Sequence, residues 1–133
     1  MFKSLCLGFV AMMMLTVSVK EADGLAAPAI LYSVNIENTL SYPITVDVTY
    51  DRFIGDGLTD TFTIAPGEEH LFGTHSFTQE ITEYYYYIKT VKISCPAIND
   101  EIVANAPFAK ITSPTKDLKA VVKMSSNKLS VNL

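Results

Sequence analysis

Histidine is the first residue type to consider for catalysis, because its side chain is the ordinary base at neutral pH. The chain has two histidines, His70 and His75, in the segment HLFGTH. A hydrolase also needs a nucleophile within hydrogen-bond reach of the base, and no G-x-S-x-G elbow, glycine-rich phosphate loop or cysteine–histidine metal signature accompanies them. Glu68 and Glu69 are adjacent carboxylates, but consecutive strand residues point to opposite faces and cannot share a substrate. We therefore predict a protein that is not an enzyme and uses no cofactor.

Four aspartates surround one predicted hairpin in the segment VDVTYDRFIGDGLTD. Calcium takes about six to eight oxygen ligands, and carboxylates that converge on a turn are one way to supply them. Asp51, Asp56 and Asp60 are the candidate calcium ligands. Aspartate and glycine are also ordinary hairpin-turn residues, so the same pattern is typical of a turn without metal. The two histidines could likewise hold a transition metal across a turn at Gly73, although no third ligand is evident.

The four consecutive tyrosines from Tyr84 to Tyr87 are the strongest candidates for ligand binding. Because strand side chains alternate between faces, two of these rings point outward whatever the register. An unbroken strand turns Tyr85, Tyr87 and Lys89 towards the core. A bulge between Ile88 and Val91 instead puts Tyr84, Tyr86 and Ile88 in the core and leaves Tyr85 and Tyr87 on the outer face. Exposed tyrosine offers large, rigid contact area with a polar tip, which suits protein partners and sugar rings. The alternative is cross-strand aromatic pairing that only stabilises the sheet.

The charges are distributed unevenly along the chain. Residues 25–83 carry nine acidic groups and one basic group, which gives −8, and residues 84–133 carry seven lysines and three acids, which gives +4. The first 24 residues carry two charges of each sign, so the chain has its net charge of −4. The lysines, Lys119 and Lys123 among them, could form a basic face for an anionic glycan, a lipid headgroup or a partner protein. Alternatively they pair with acidic strands or protect a sheet edge. The net negative charge argues against nucleic acid as a partner.

The N-terminal segment has the order of a secretory signal peptide. A cation at Lys3 is followed by an apolar run over residues 5–19 and then by small residues. The pattern predicts a signal peptide over residues 1–24, cleaved after Gly24 or Ala26. A membrane anchor is the competing interpretation, but the run is shorter than the roughly 20 residues that a spanning helix needs. We predict a secreted protein with one domain over residues 25–133.

Cysteine usage is unusual for a small secreted domain, which commonly relies on disulfides. Cleavage of the signal peptide removes Cys6 and leaves Cys95, so an internal disulfide cannot form. The segment VKISCP reads as the end of a strand, which favours a buried thiol. The alternative is a disulfide with another chain.

Strands are the elements that must position these residues. Apolar side chains alternate with polar ones in PITVDVTYD, and the same period of two recurs in AILYSVNIEN, LTDTFTIA, DLKAVVKM and KLSVNL. Weaker strand candidates lie at residues 68–72, 101–105 and 108–112. Turn signals such as IGDG, APGE and SSN separate the strands. Seven or eight short strands predict an all-β fold, a single antiparallel β-sandwich of immunoglobulin-like architecture. A small closed barrel is the alternative.

These patterns favour a secreted, non-enzymatic β-sandwich that binds a protein or a glycan through a sheet face or its loops. The candidate ligand-binding residues are Tyr85, Tyr87, Lys89, Lys119 and Lys123. The alternatives are a self-associating structural protein of the extracellular space, and a membrane-surface-binding protein that uses the lysine-rich C-terminal half. The sequence does not set the oligomeric state.

Overall fold

The computed structural model describes residues 29–133, which form ten β-strands. The predicted signal peptide lies outside the described residues. One 3-10 turn (Pro96–Ile98) is present, and this part of the chain has no helix long and apolar enough to span a membrane. The strands are β1 (Val34–Asn38), β2 (Ile44–Asp51), β3 (Leu58–Ile64), β4 (Glu69–Phe72), β5 (Ser76–Gln79), β6 (Thr82–Tyr85), β7 (Tyr87–Cys95), β8 (Asp100–Asn105), β9 (Leu118–Ser125) and β10 (Lys128–Val131).

The strands form two four-stranded sheets and a separate hairpin. The first sheet has the order β10-β9-β1-β4, the second has the order β3-β2-β7-β8, and β5 pairs with β6. The all-β prediction is confirmed, and the two sheets are consistent with a sandwich. The prediction of purely antiparallel pairing is wrong, because β1 and β9 are parallel. Alternation shows which face a side chain takes but not the direction of a strand. After β8 in the second sheet, the chain crosses to the first sheet, where β9 pairs with β1. Such a crossover is the type of connection that parallel strands require.

One hydrophobic core lies between the two sheets. In β2 the side chains of Ile44, Val46, Val48 and Tyr50 are fully buried, as the alternation predicts. Each such aliphatic side chain contributes roughly 1.5–3 kcal/mol through removal from water. Cys95 is also in the core as a free, buried thiol, so the interpretation of VKISCP is confirmed.

Contacts between edge strands close both sides of the core. On one side the imidazole of His70 in β4 stacks on Phe62 in β3, with centroids 3.7 Å apart. On the other side the backbone N–H of Leu129 in β10 donates to Asp100 Oδ2 in β8 at 2.8 Å. That hydrogen bond to the charged form lowers the pKa of the Asp100 carboxyl.

The number of strands exceeds the predicted seven or eight for a local reason. Residues 108–112 are not a strand, whereas β5 and β6 form a short hairpin that the sequence pattern did not indicate. β2 ends at Asp51 and β7 begins at Tyr87 on the same side of the second sheet. The loop 52–57 and the β5–β6 hairpin therefore lie at one end of the two sheets. We call this the loop end, and the opposite one, which contains the β3–β4 turn, the far end.

Candidate functional site

The tyrosine run is divided between two strands. Tyr84 and Tyr85 end β6, Tyr87 begins β7, and Tyr86 connects them. The backbone N–H of Tyr86 donates to the carbonyl of His75 at 2.9 Å. The interpretation of this segment as one continuous strand is therefore wrong, because β6 pairs with β5 rather than continuing the second sheet.

A bulge in β7 decides the position of Lys89. Tyr50 of β2 is opposite Ile88, and Thr49 is opposite Thr90, so Lys89 has no partner in the ladder. Ile88 is buried and Lys89 is exposed. The structure thus shows the predicted bulge, with Ile88 inward and Lys89 outward, but the placement of Tyr84 in the core that went with it is wrong, because Tyr84 is 41% exposed. The bulge spares the lysine ammonium the cost of entering the core.

The two predicted binding tyrosines have different neighbours. Tyr85 is 40% exposed and makes an edge-to-face contact with Tyr32, and the Lys116 ammonium lies 5.2 Å from its ring centroid. Tyr87 is half-buried, and its ring centroid lies 6.1 Å from that of Phe53. Both rings are therefore at the loop end, and each one packs against a neighbouring aromatic side chain.

The two predicted binding lysines of β9 lie on the other sheet, away from the tyrosines. Lys119 Nζ lies 2.8 Å from Glu69 Oε1 and 3.4 Å from Glu37 Oε1. The hydrogen bond to the Lys119 ammonium lowers the pKa of Glu69, and the Glu69 carboxylate raises the pKa of Lys119. Lys123 is exposed on the same strand. On this sheet a lysine of β9 therefore pairs with acidic residues of neighbouring strands, which is the alternative to a basic binding face.

The three candidate calcium ligands are not brought together. Asp51 Oδ1 accepts a hydrogen bond from the Arg52 backbone N–H at 2.8 Å, Asp60 contacts a histidine, and Asp56 is exposed in the loop. Within residues 29–133 no group of three or more His, Cys, Asp or Glu side chains is arranged to hold a metal ion.

His75 anchors the β5–β6 hairpin to the second sheet. Its Nε2 lies 2.7 Å from Asp60 Oδ2, and its ring packs edge-to-face on Tyr50 with centroids 4.6 Å apart. The Tyr50 hydroxyl donates to the Gly73 carbonyl at 2.8 Å, and burial raises the pKa of Tyr50 well above its ordinary value. The hydroxyl thus stays protonated as a donor. This cluster is a hydrogen-bonded anchor between the hairpin and the second sheet.

Exposed apolar side chains from two separate segments meet at the loop end. Phe53 and Ile54 in the loop 52–57 are 80% and 66% exposed. Opposite them are Phe77, Gln79 and Tyr84 of the hairpin, and the five residues line a groove of about 100 Å³. Phe77 and Tyr84 are stacked across the hairpin with centroids 5.5 Å apart. We call this the loop-end groove.

Arg52 joins the loop to the hairpin beneath this groove. Its guanidinium carbon lies 4.5 Å from the Phe77 ring centroid and 5.4 Å from that of Tyr86, both within cation–π range. Gly55, at φ +100°, passes so close to Arg52 Nη2 that a Cβ there would overlap it. Arg52 Nε is buried and has no hydrogen-bond partner within the described part of the chain. The arginine therefore supports the loop.

The sequence patterns did not predict the loop-end groove, although one of its two segments carries a recognisable signal. In FIGDG, two large apolar residues stand in a turn otherwise made of glycine and aspartate, and apolar residues in a turn are exposed unless something covers them. The hairpin that completes the groove has no comparable signal. Comparisons with protein-family models, curated proteins and solved structures found no match for this chain.

Proposed function

We propose that this protein is a secreted, non-enzymatic binding module, an immunoglobulin-like β-sandwich that recognises a protein partner through the loop-end groove. The observation that carries the proposal is the groove itself, in which Phe53 and Ile54 meet Phe77 and Tyr84. Single exposed apolar residues are normal on a protein surface, whereas a contiguous group of them is typical of an interaction site.

The order of the strands supports the immunoglobulin-like part of the proposal. β1 and β4 pair in one sheet while β2 and β7 pair in the other. The chain therefore alternates between sheets as it does in sandwiches with Greek-key connections. In that architecture the loops cluster at the two ends, and binding residues are often carried on loops held by a rigid scaffold.

The lining of the groove favours a protein over a glycan. Its hydrogen-bonding groups are the Gln79 amide and the Tyr84 hydroxyl, and the rest of the lining is apolar. Sugar rings need several hydrogen bonds to their hydroxyls, whereas one apolar side chain of a protein fills such a groove and leaves few polar groups unpaired. In protein interfaces, a few apolar or aromatic side chains that become buried in a pocket of the partner supply most of the binding free energy.

The non-enzymatic part of the proposal rests on how the ionisable groups of this region are used. Asp60 and His75 contact each other, and the Tyr50 hydroxyl donates to a backbone carbonyl. The lysine-face alternatives have less support, because Lys119 is paired with Glu37 and Glu69. Secretion rests on the signal-peptide pattern of residues 1–24.

A displayed-peptide library panned on the mature chain tests the proposal. The wild type should enrich peptides that lose binding to a Phe53→Ser/Ile54→Ser variant. The control is Leu71→Ser/Val103→Ser, which removes two exposed apolar residues, 50% and 51% exposed, from strands that do not line the groove. Peptides that bind all three proteins equally, or no enrichment at all, would refute the groove as the binding site. Light scattering of the same proteins identifies a second copy of the chain as the partner if a wild-type oligomer dissociates only in the groove variant.

A further inference from the structure

An acidic residue stands close in sequence to a lining residue in each of the two segments that form the loop-end groove. Asp56 follows the lining residue Ile54 by two positions, and Glu80 directly follows the lining residue Gln79. Both acids are exposed. Glu83 adds a further carboxylate on the opposite face of the same hairpin.

The positive charge at this site does not project into the groove. Arg52 is the single basic residue between positions 25 and 83. Its guanidinium lies under Gly55 and against Phe77 rather than beside an acid. Lys116 contacts Tyr85, which alternation places on the opposite face of β6 from Tyr84. The groove is thus an apolar site whose two segments each carry an exposed carboxylate, Asp56 and Glu80, which we call the rim carboxylates.

We propose that the partner of the loop-end groove is a protein segment with one large apolar side chain flanked by lysine or arginine. The apolar side chain enters between Phe53 and Phe77, and the flanking cations face Asp56 and Glu80. This inference rests on the proposed function and names the chemistry of its partner. Because the rim carboxylates are exposed, their contribution is to the rate and specificity of association, and it decreases with salt.

Two fluorescent peptides with the same apolar anchor test the charge preference. The first is Lys-Lys-Leu-Phe-Lys-Lys and the second is Glu-Glu-Leu-Phe-Glu-Glu, each titrated by fluorescence anisotropy with the mature chain. At about 20 mM salt the lysine peptide should bind at least about tenfold more tightly. The ratio should fall severalfold at about 500 mM salt, where the Debye length is only a few ångström.

A charge-reversal variant with a matched control localises the effect. Asp56→Lys/Glu80→Lys should lose or reverse the preference for the lysine peptide. Glu68→Lys/Glu101→Lys makes the same change in net charge with two exposed acids at the far end, and it should keep the preference. Urea unfolding of both variants confirms that each one is folded.

The possible outcomes separate this inference from the proposed function. If both peptides bind equally and Phe53→Ser/Ile54→Ser abolishes both, the groove is the binding site and the charge preference is wrong. Tighter binding of the glutamate peptide, or equal loss of preference in both charge-reversal variants, also overturns it. If neither peptide shows binding that depends on Phe53 and Ile54, the inference fails together with the proposed function.

Discussion

Replacing Gly55 with alanine should destabilise the protein through two separable effects. The backbone at Gly55 has φ +100°, a conformation that side chains disfavour. The new Cβ would also overlap the Arg52 guanidinium, which must then shift from its position against the Phe77 ring. The loop that carries Phe53 and Ile54 would lose the contact that fixes it over the hairpin.

The size of each effect follows from the geometry. Holding a non-glycine residue in a sparsely populated region of φ/ψ space costs about 1–3 kcal/mol. Loss of the cation–π contacts of Arg52 costs a further 0.5–2 kcal/mol or so. Gly55→Ala should therefore lower the free energy of unfolding by about 1.5–5 kcal/mol.

Gly67→Ala provides the matched control. Gly67 also has positive φ, +76°, but a Cβ there would meet no atom within 4 Å. Gly67→Ala should lower the free energy of unfolding only through the strained backbone, by about 1–2 kcal/mol. An Arg52→Met background removes the guanidinium, and in that background Gly55→Ala should cost about 1 kcal/mol less than it does in the wild type.

Urea unfolding of the four variants and the wild type measures these differences. A cost of Gly55→Ala no larger than that of Gly67→Ala would refute the role of Arg52 beneath the loop. So would a cost of Gly55→Ala that is unchanged by Arg52→Met. In the same samples, Gly55→Ala should weaken binding of groove-selected peptides while Gly67→Ala leaves it intact.

Three further predictions concern the core and its edges. Tyr50→Phe removes the donor to the Gly73 carbonyl and should lower the free energy of unfolding, measured in urea, by about 1–2 kcal/mol. An unchanged free energy would show that the hydroxyl does not anchor the segment between β4 and β5. Because the Leu129 N–H lowers the pKa of folded Asp100, Asp100 supplies stability above its ordinary pKa of about 3.9 that is lost as the pH falls through the lower folded value. Urea midpoints between about pH 6 and pH 3 should therefore vary less in Asp100→Asn than in the wild type, and parallel curves would contradict this hydrogen bond. Cys95 in the mature chain should react with a thiol reagent only as the protein unfolds, and rapid stoichiometric labelling of native protein would contradict its burial.

Much of the hydrophobic core could be predicted because burial on one face imposes a period of two on the sequence. β2 shows this most clearly, with its four inward residues all fully buried. The β5–β6 hairpin could not be predicted, because Ser76–Gln79 and Thr82–Tyr85 are too short and too exposed for burial to impose a pattern. Strand direction is also missing from such patterns, which is why the parallel β1–β9 pair was not foreseen.

The binding residues show the same division. The sequence indicated that some tyrosines between Tyr84 and Tyr87 must be exposed, and it allowed for the bulge at Lys89. It did not indicate that Tyr84 would join Phe53 and Phe77, which are distant along the chain. The sequence offered Lys119 and Tyr85 as separate candidates with no relation between them, and the structure assigns them to different sheets.

Local alternation, turn chemistry and charge counts by themselves determined an all-β chain with a buried Cys95 and polar outer faces, because each depends on neighbouring residues and on contact with water. Only the tertiary structure decided which side chains lie together at the loop end. It brings the FIGDG loop next to an unforeseen hairpin and packs the Arg52 guanidinium against Gly55 and Phe77. These contacts join segments far apart in the chain, and their formation depends on the order and direction in which the strands pack.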